Sequence, residues 1–173
     1  MGEVVALMNT AADLRQKLVI SLAYYQGLRR SEICWLRWQD VDLEDYCLSV
    51  TDRQGARTKT RRSCTIALRP ETAGLFARLA PDRVNEYVFT NPRTFYWAVS
   101  VRFEKLVKEA GIDYCTLHDL RKTCNTLMLD AGASRDAAMQ VLGHTSAQVN
   151  ERYYTGVLME QQRRAINALP SIG

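Results

Sequence analysis

Apolar residues recur at helical spacing over 12–26 (ADLRQKLVISLAYYQ). There Leu14, Leu18, Ile20, Leu22 and Tyr25 fall mostly on one face, and Gly27 follows as a stop. A second helix is predicted over 31–38, with Ile33, Leu36 and Trp38 turned inward. The period then shortens. Residues 46–51 (YCLSVT) and 63–68 (SCTIAL) alternate in the manner of strands around a polar stretch that contains Gly55, which predicts a β-hairpin. A third short strand is expected at 87–89. The remainder reads as helix: 70–79, 94–110 ended by Gly111, 117–130 ended by Gly132, 134–142 ended by Gly143, a short piece near 150–154, and 159–169 stopped by Pro170. The predicted architecture is mainly α (α+β), with a small antiparallel three-stranded sheet.

The 173 residues fit one domain, and no repeat or low-complexity linker divides them. With 47% hydrophobic and 24% charged residues, disorder is excluded as the main state. No apolar run approaches a membrane span, and the opening MGEVVALMNTAADLRQKL lacks the unbroken apolar stretch of a secretion signal, so a cytosolic protein is expected. Cys34, Cys47, Cys64, Cys115 and Cys124 are odd in number and form no C-x-x-C pair, which points to reduced, mostly buried thiols. His118 and His144 are the only histidines, too few for a histidine-rich metal site.

Net charge is +4, and its placement matters more than its size. Residues 51–69 hold Arg53, Arg57, Lys59, Arg61, Arg62 and Arg69 against Asp52 alone, so the hairpin connection carries the whole basic excess. Such a run serves either as a solvated face or as a contact for a polyanion.

Three further segments bear on that choice. In Thr116-Leu117-His118-Asp119-Leu120-Arg121, threonine and aspartate three apart resemble a capping box; His118 and Arg121 then share one face near backbone N–H groups that favour an anion. Gly27-Leu28-Arg29-Arg30-Ser31-Glu32 puts an arginine on a tight link between helices, where a fixed guanidinium could grip two oxygens of one phosphate. Leu142-Gly143-His144 follows, and Arg152-Tyr153-Tyr154-Thr155-Gly156 comes after it.

This ordered set resembles the catalytic domain of the tyrosine recombinases, the phage-integrase family. The resemblance runs through GLRRSEICWLRWQDVDL at 27–43, RTKTRRSCTIAL at 57–68, HDLRKTCNTLMLDAGASRDAAMQVLGHTS at 118–146 and RYYTG at 152–156. It implies a site-specific recombinase or integrase that cleaves and rejoins DNA strands, without metal or other cofactor, through a covalent 3′-phosphotyrosine. Arg29 and Arg121 match the arginines that clamp the scissile phosphate. Lys59 matches the hairpin lysine that protonates the leaving 5′ oxygen. His118 matches a histidine that assists proton movement, as suits an imidazole. His144 matches a phosphate hydrogen-bond donor, and Glu32 an acidic residue that orients the arginines. For the nucleophile, family spacing allows Tyr153 or Tyr154; the following Thr-Gly resembles the family ending and favours Tyr154. Arg53, Arg57, Arg61 and Arg62 would contact DNA.

The resemblance further implies double-stranded DNA as partner, other recombinase protomers in a tetramer on DNA, a monomer in isolation, and a prokaryotic, phage or mobile-element origin. The family's separate N-terminal DNA-clamping domain has no counterpart in this chain, so a catalytic-domain fragment or a truncated form is expected. Leu158, Ala165, Ile166 and Leu169 would pack the C-terminal tail on its own domain or on a neighbour. Two other readings stay open: a type IB topoisomerase, and a DNA-binding module without catalysis.

Overall fold

The computed structural model describes residues 2–51, 63–142 and 154–172. Helix α1 (Gly2–Thr10) buries Val4, Leu7 and Met8, spaced i, i+3, i+4. Three residues on so short a helix give little periodic signal, and α1 was not among the expected elements. Asp13 then caps α2 (Leu14–Tyr24), its carboxylate accepting from the Gln16 N–H at 2.8 Å. The sequence suggested one apolar face on α2. In the fold every residue from Leu18 to Tyr24 is buried, because α2 is the central helix and is packed on several sides. The hydroxyl of Ser21, buried with them, is met by that of Thr72 at 2.8 Å.

Helix α3 (Arg30–Cys34) is shorter than expected, and a 3₁₀ turn (Trp38–Asp40) follows it. The reason lies in backbone pairing: Leu36 C=O accepts from Val88 N–H and Trp38 N–H donates to Glu86 C=O, which commits these residues to an extended neighbour. Ile33, Leu36 and Trp38 are buried as expected. The sheet comprises β1 (Val41–Asp42), β2 (Cys47–Val50) and β3 (Cys64–Ala67), antiparallel in that order, with Val50 opposite Cys64 and Cys47 opposite Ala67. The hairpin thus stands. The third strand is β1, however, and the segment expected to supply it at 87–89 makes only an isolated bridge, Arg37 to Tyr87.

Helices α4 (Pro70–Leu79), α5 (Pro92–Glu109), α6 (Leu117–Asp130) and α7 (Arg135–Val141) lie close to the expected ranges. Their ends have local causes. Proline opens α4 and α5, and Asn91 caps α5 by accepting from the Arg93 N–H. Thr116 and Asp119 form the anticipated reciprocal capping box on α6. Helix α8 (Tyr154–Asn167) starts earlier than the expected 159; of the short piece near 150–154, residues 150–153 lie outside the described residues.

The C-terminal tail packs on its own domain. Ala165, Ile166, Leu169 and Ile172 enter the core. The Arg69 guanidinium donates to the carbonyls of Ile166 and Leu169 and stacks 4.5 Å from the centre of the Tyr25 ring. The Tyr25 hydroxyl in turn accepts from the Ile172 N–H at 3.0 Å. No helix among the described residues is long and apolar enough to cross a membrane. All five cysteines are free thiols, Cys34 and Cys124 buried and the others partly so.

Candidate active site

The site begins at the turn between α2 and α3. Gly27 adopts φ +58°, and a Cβ there would come within 2.5 Å of the Leu142 side chain, so both conformation and space call for glycine. That turn aims the Gly27 carbonyl at the guanidinium of Arg121 on α6, which donates to it and to the Leu142 carbonyl. Arg121 is 5% exposed, a guanidinium built into the protein rather than laid on it.

Two residues later the chain supplies Arg29, and Glu32 one turn on. The Glu32 carboxylate accepts from the Arg29 backbone N–H at 2.7 Å and from the Arg29 guanidinium at 2.6 Å, and lies 3.8 Å from Arg121. One buried carboxylate therefore touches both arginines, which offsets the repulsion between two like charges and fixes where they point. His118 sits in the first turn of α6, exposed, between the two residues of the Thr116–Asp119 capping box.

Arg29, His118 and Arg121 open together onto a cavity of about 480 Å³, whose wall also includes Arg30, Tyr96 and Ser100. Positive charge, donors in excess of acceptors and a helix N-terminus converge on one space. That combination suits a phosphate group. Burial lowers the Arg121 pKa to about 10, with Arg29 adding and Glu32 opposing, so the guanidinium stays cationic at neutral pH. Cys64, at the start of β3, is influenced by the same charges. Burial pushes its thiol up to about 11, Glu32 reinforces this and the two arginines oppose it, which keeps it protonated and a poor nucleophile.

The model of the phage integrase family matches residues 2–161. The chain belongs to the phage integrase family. Among the curated relatives of this phage integrase chain is the tyrosine recombinase XerA of Pyrococcus horikoshii, 28% identical over 95% of the chain and 58% of that protein. The chain thus spans a little over half the length of that relative. Of solved structures, the integrase of mycobacterium phage Brujita superposes with a TM-score of 0.75 at 20% identity, over 98% of this chain and 61% of that one. The lambda integrase catalytic core gives 0.63 at 21% identity, over 86% and 92% respectively. These likenesses share the helical fold with its small sheet.

Of the residues picked from the phage integrase motifs, the fold brings Arg29, Glu32, His118 and Arg121 together. Lys59, His144, Tyr153 and the arginines at 53, 57, 61 and 62 lie outside the described residues. Tyr154 is the first residue of α8. The motifs gave no role to Arg30. Its guanidinium donates to the hydroxyls of Tyr96 and of Ser100 (2.6 Å) and stacks 3.9 Å from the Tyr96 ring centre, tying α3 to α5 along the cavity wall. Tyr96 and Ser100, four apart on α5, carried the signal of a shared face, but nothing in the sequence linked that face to Arg30.

Proposed function

We propose that this domain cleaves and rejoins double-stranded DNA at specific sites through a covalent 3′-phosphotyrosine. The observation that supports it most directly is the Glu32-bridged pair Arg29 and Arg121, opening with His118 onto one cavity. In this reading the two guanidiniums bind the non-bridging oxygens of the scissile phosphate and oppose the charge that grows there in the transition state. The Tyr154 phenol loses its proton with help from His118 and attacks phosphorus. The bond to the 5′ oxygen breaks as Lys59 delivers a proton to it, and His144 donates a hydrogen bond to the phosphate. The energy of the phosphodiester is kept in the tyrosyl ester, and rejoining is the same sequence reversed.

Arg53, Arg57, Arg61 and Arg62 add phosphate contacts, so binding should weaken steeply with salt. The relatives are named tyrosine recombinase and transposase, and three solved neighbours are structures of one integrase, that of transposon Tn1549, in complex with DNA. The chain acts as the catalytic domain of such a recombinase, with further DNA contacts made by a separate N-terminal unit. It is a monomer alone and works as a tetramer on DNA in a prokaryotic cell, phage or mobile element.

A nicked half-site duplex, which traps cleavage by releasing the short product strand, tests the chemistry. Incubation in EDTA should give a covalent protein–DNA band on a denaturing gel, retained in Tyr153→Phe and lost in Tyr154→Phe. Loss in Tyr153→Phe alone would keep the chemistry and move the nucleophile by one residue. No band with the chain's own attachment site in the full-length protein would sink the reading.

A further inference from the structure

Strand β3 lies at an edge of the sheet, with β2 on one side. Beyond β3, the Leu68 N–H bonds back to the Tyr46 carbonyl on the β2 side, so the two-residue period sends the Ala67 N–H and the Thr65 C=O to the free edge. The Ala67 N–H is buried and needs a partner, while the Thr65 carbonyl is only partly covered. Both find one in a side chain. Gln162 of α8, 4% exposed, accepts from the Ala67 N–H at 3.1 Å through Oε1 and donates to the Thr65 carbonyl at 3.5 Å through Nε2. One amide stands in for a fourth strand.

Elsewhere α8 meets the body through the apolar Ala165 and Ile166, through the Ile166 carbonyl, which accepts from Arg69, and through an exposed bond from Arg163 to the Asp45 carbonyl in the turn before β2. Of these polar bonds only the Gln162 pair is made to β3. Apolar burial is non-directional and tolerates sliding, whereas two hydrogen bonds from one planar amide specify a position along the strand. We propose that Gln162 is a positioning residue that fixes the register of α8 on β3. The catalytic consequence rests on the function proposed above. Tyr154 starts the same helix about two turns away, and Lys59 precedes the first residue of β3 by five positions. The Gln162 amide thereby sets the helix of the nucleophile against the strand that leads from the leaving-group acid.

Three variants of the whole chain test this: Gln162→Met, similar in length without the bonds; Gln162→Glu, which keeps an acceptor for Ala67; and Glu160→Gln, a change on the exposed face of α8. By NMR hydrogen exchange, the Ala67 amide should exchange about tenfold faster or more in Gln162→Met, regain most of its protection in Gln162→Glu and be unaltered in Glu160→Gln. At saturating nicked DNA, Gln162→Met should slow covalent-product formation about tenfold while DNA affinity stays within about twofold. With a 5′-bridging phosphorothiolate, whose sulfur departs without a proton, the slowing should shrink to about threefold or less. Unchanged Ala67 protection in Gln162→Met would overturn the register role. Equal slowing on both leaving groups would overturn the link to Lys59. If the full-length protein formed no covalent product on its own attachment site, the cleavage reading would fall and the exchange data would still decide the register.

Discussion

Arg29 at the head of α3, Glu32 on α3 and Arg121 on α6 hold one another through charge and backbone: a carboxylate shared by two guanidiniums, and a guanidinium shared by two carbonyls. The C-terminal region, α8 and its tail, is attached differently. It is held by one amide on a strand edge, by Arg163 on the Asp45 carbonyl, by the Arg69 and Tyr25 clasp at its far end, and by a handful of apolar side chains. The first arrangement suits groups that must already be in place when charge develops, since a donor that reorients during the reaction loses much of its benefit. Among the described residues, the bonds from α8 itself to the body lie at Gln162, Arg163 and Ile166, eight or more positions after Tyr154.

The largest effect should separate the two arginines within the first region. Arg121→Met removes the partner of two buried carbonyls and of Glu32, and should cost about 3–5 kcal/mol of folding stability. Arg29→Met leaves the buried Glu32 carboxylate with Arg121 alone and should cost less, about 1–3 kcal/mol, because no backbone carbonyl depends on Arg29. Both should reduce covalent-product formation about a hundredfold or more. Urea unfolding beside single-turnover cleavage checks this. Equal destabilisation by the two would mean that Arg121 is no more structural than Arg29, and the comparison would break at its first region.

Next comes the clasp. Arg69→Met leaves the Ile166 and Leu169 carbonyls without their buried donor and should cost about 1–3 kcal/mol. The change should be local: faster exchange at the Ile172 amide, with the Arg29–Glu32 region unaltered in the same spectra. Spread of the disturbance to Arg121 would show that the two regions are one mechanical unit.

The smallest effect concerns pH. Asp119 is held below the ordinary carboxyl value of 3.8, first by the Thr116 hydroxyl and then by Lys122. A lowered folded value means that its contribution is complete above 3.8 and fades as pH falls through that lowered value. Asp119→Asn should cost about 1 kcal/mol at neutral pH, as loss of a helix cap does. It should also flatten the decline in stability on acidification. An unchanged acid limb would place the charge that matters elsewhere.

Local features were legible in the order of residues alone. The α4 and α6 ranges, the Thr116–Asp119 box and the hairpin follow from bonds and periodicities within a few residues of one another. The motif residues Arg29, Glu32, His118 and Arg121 were legible too, because resemblance marks positions without needing their geometry. The third strand was not. Tyr87-Val88-Phe89 has strand-like residues, but its backbone meets only Arg37 and its neighbours, while Val41 and Asp42 pair with β2 because the short turn after them brings them alongside.

The sequence by itself determined that the chain is mainly helical with a small sheet, and it marked Arg29, Glu32, His118 and Arg121 as one set, because helix caps, side-chain period and motif order are properties of neighbours along the chain. Only the tertiary structure decided that α2 is buried on several sides, that Arg30 turns to Tyr96 while Arg29 turns to Glu32, and that Gln162 completes the β3 edge. Each of these depends on which surfaces meet after the chain has packed. A glutamine two turns into a helix carries no local sign of the strand whose backbone it will satisfy.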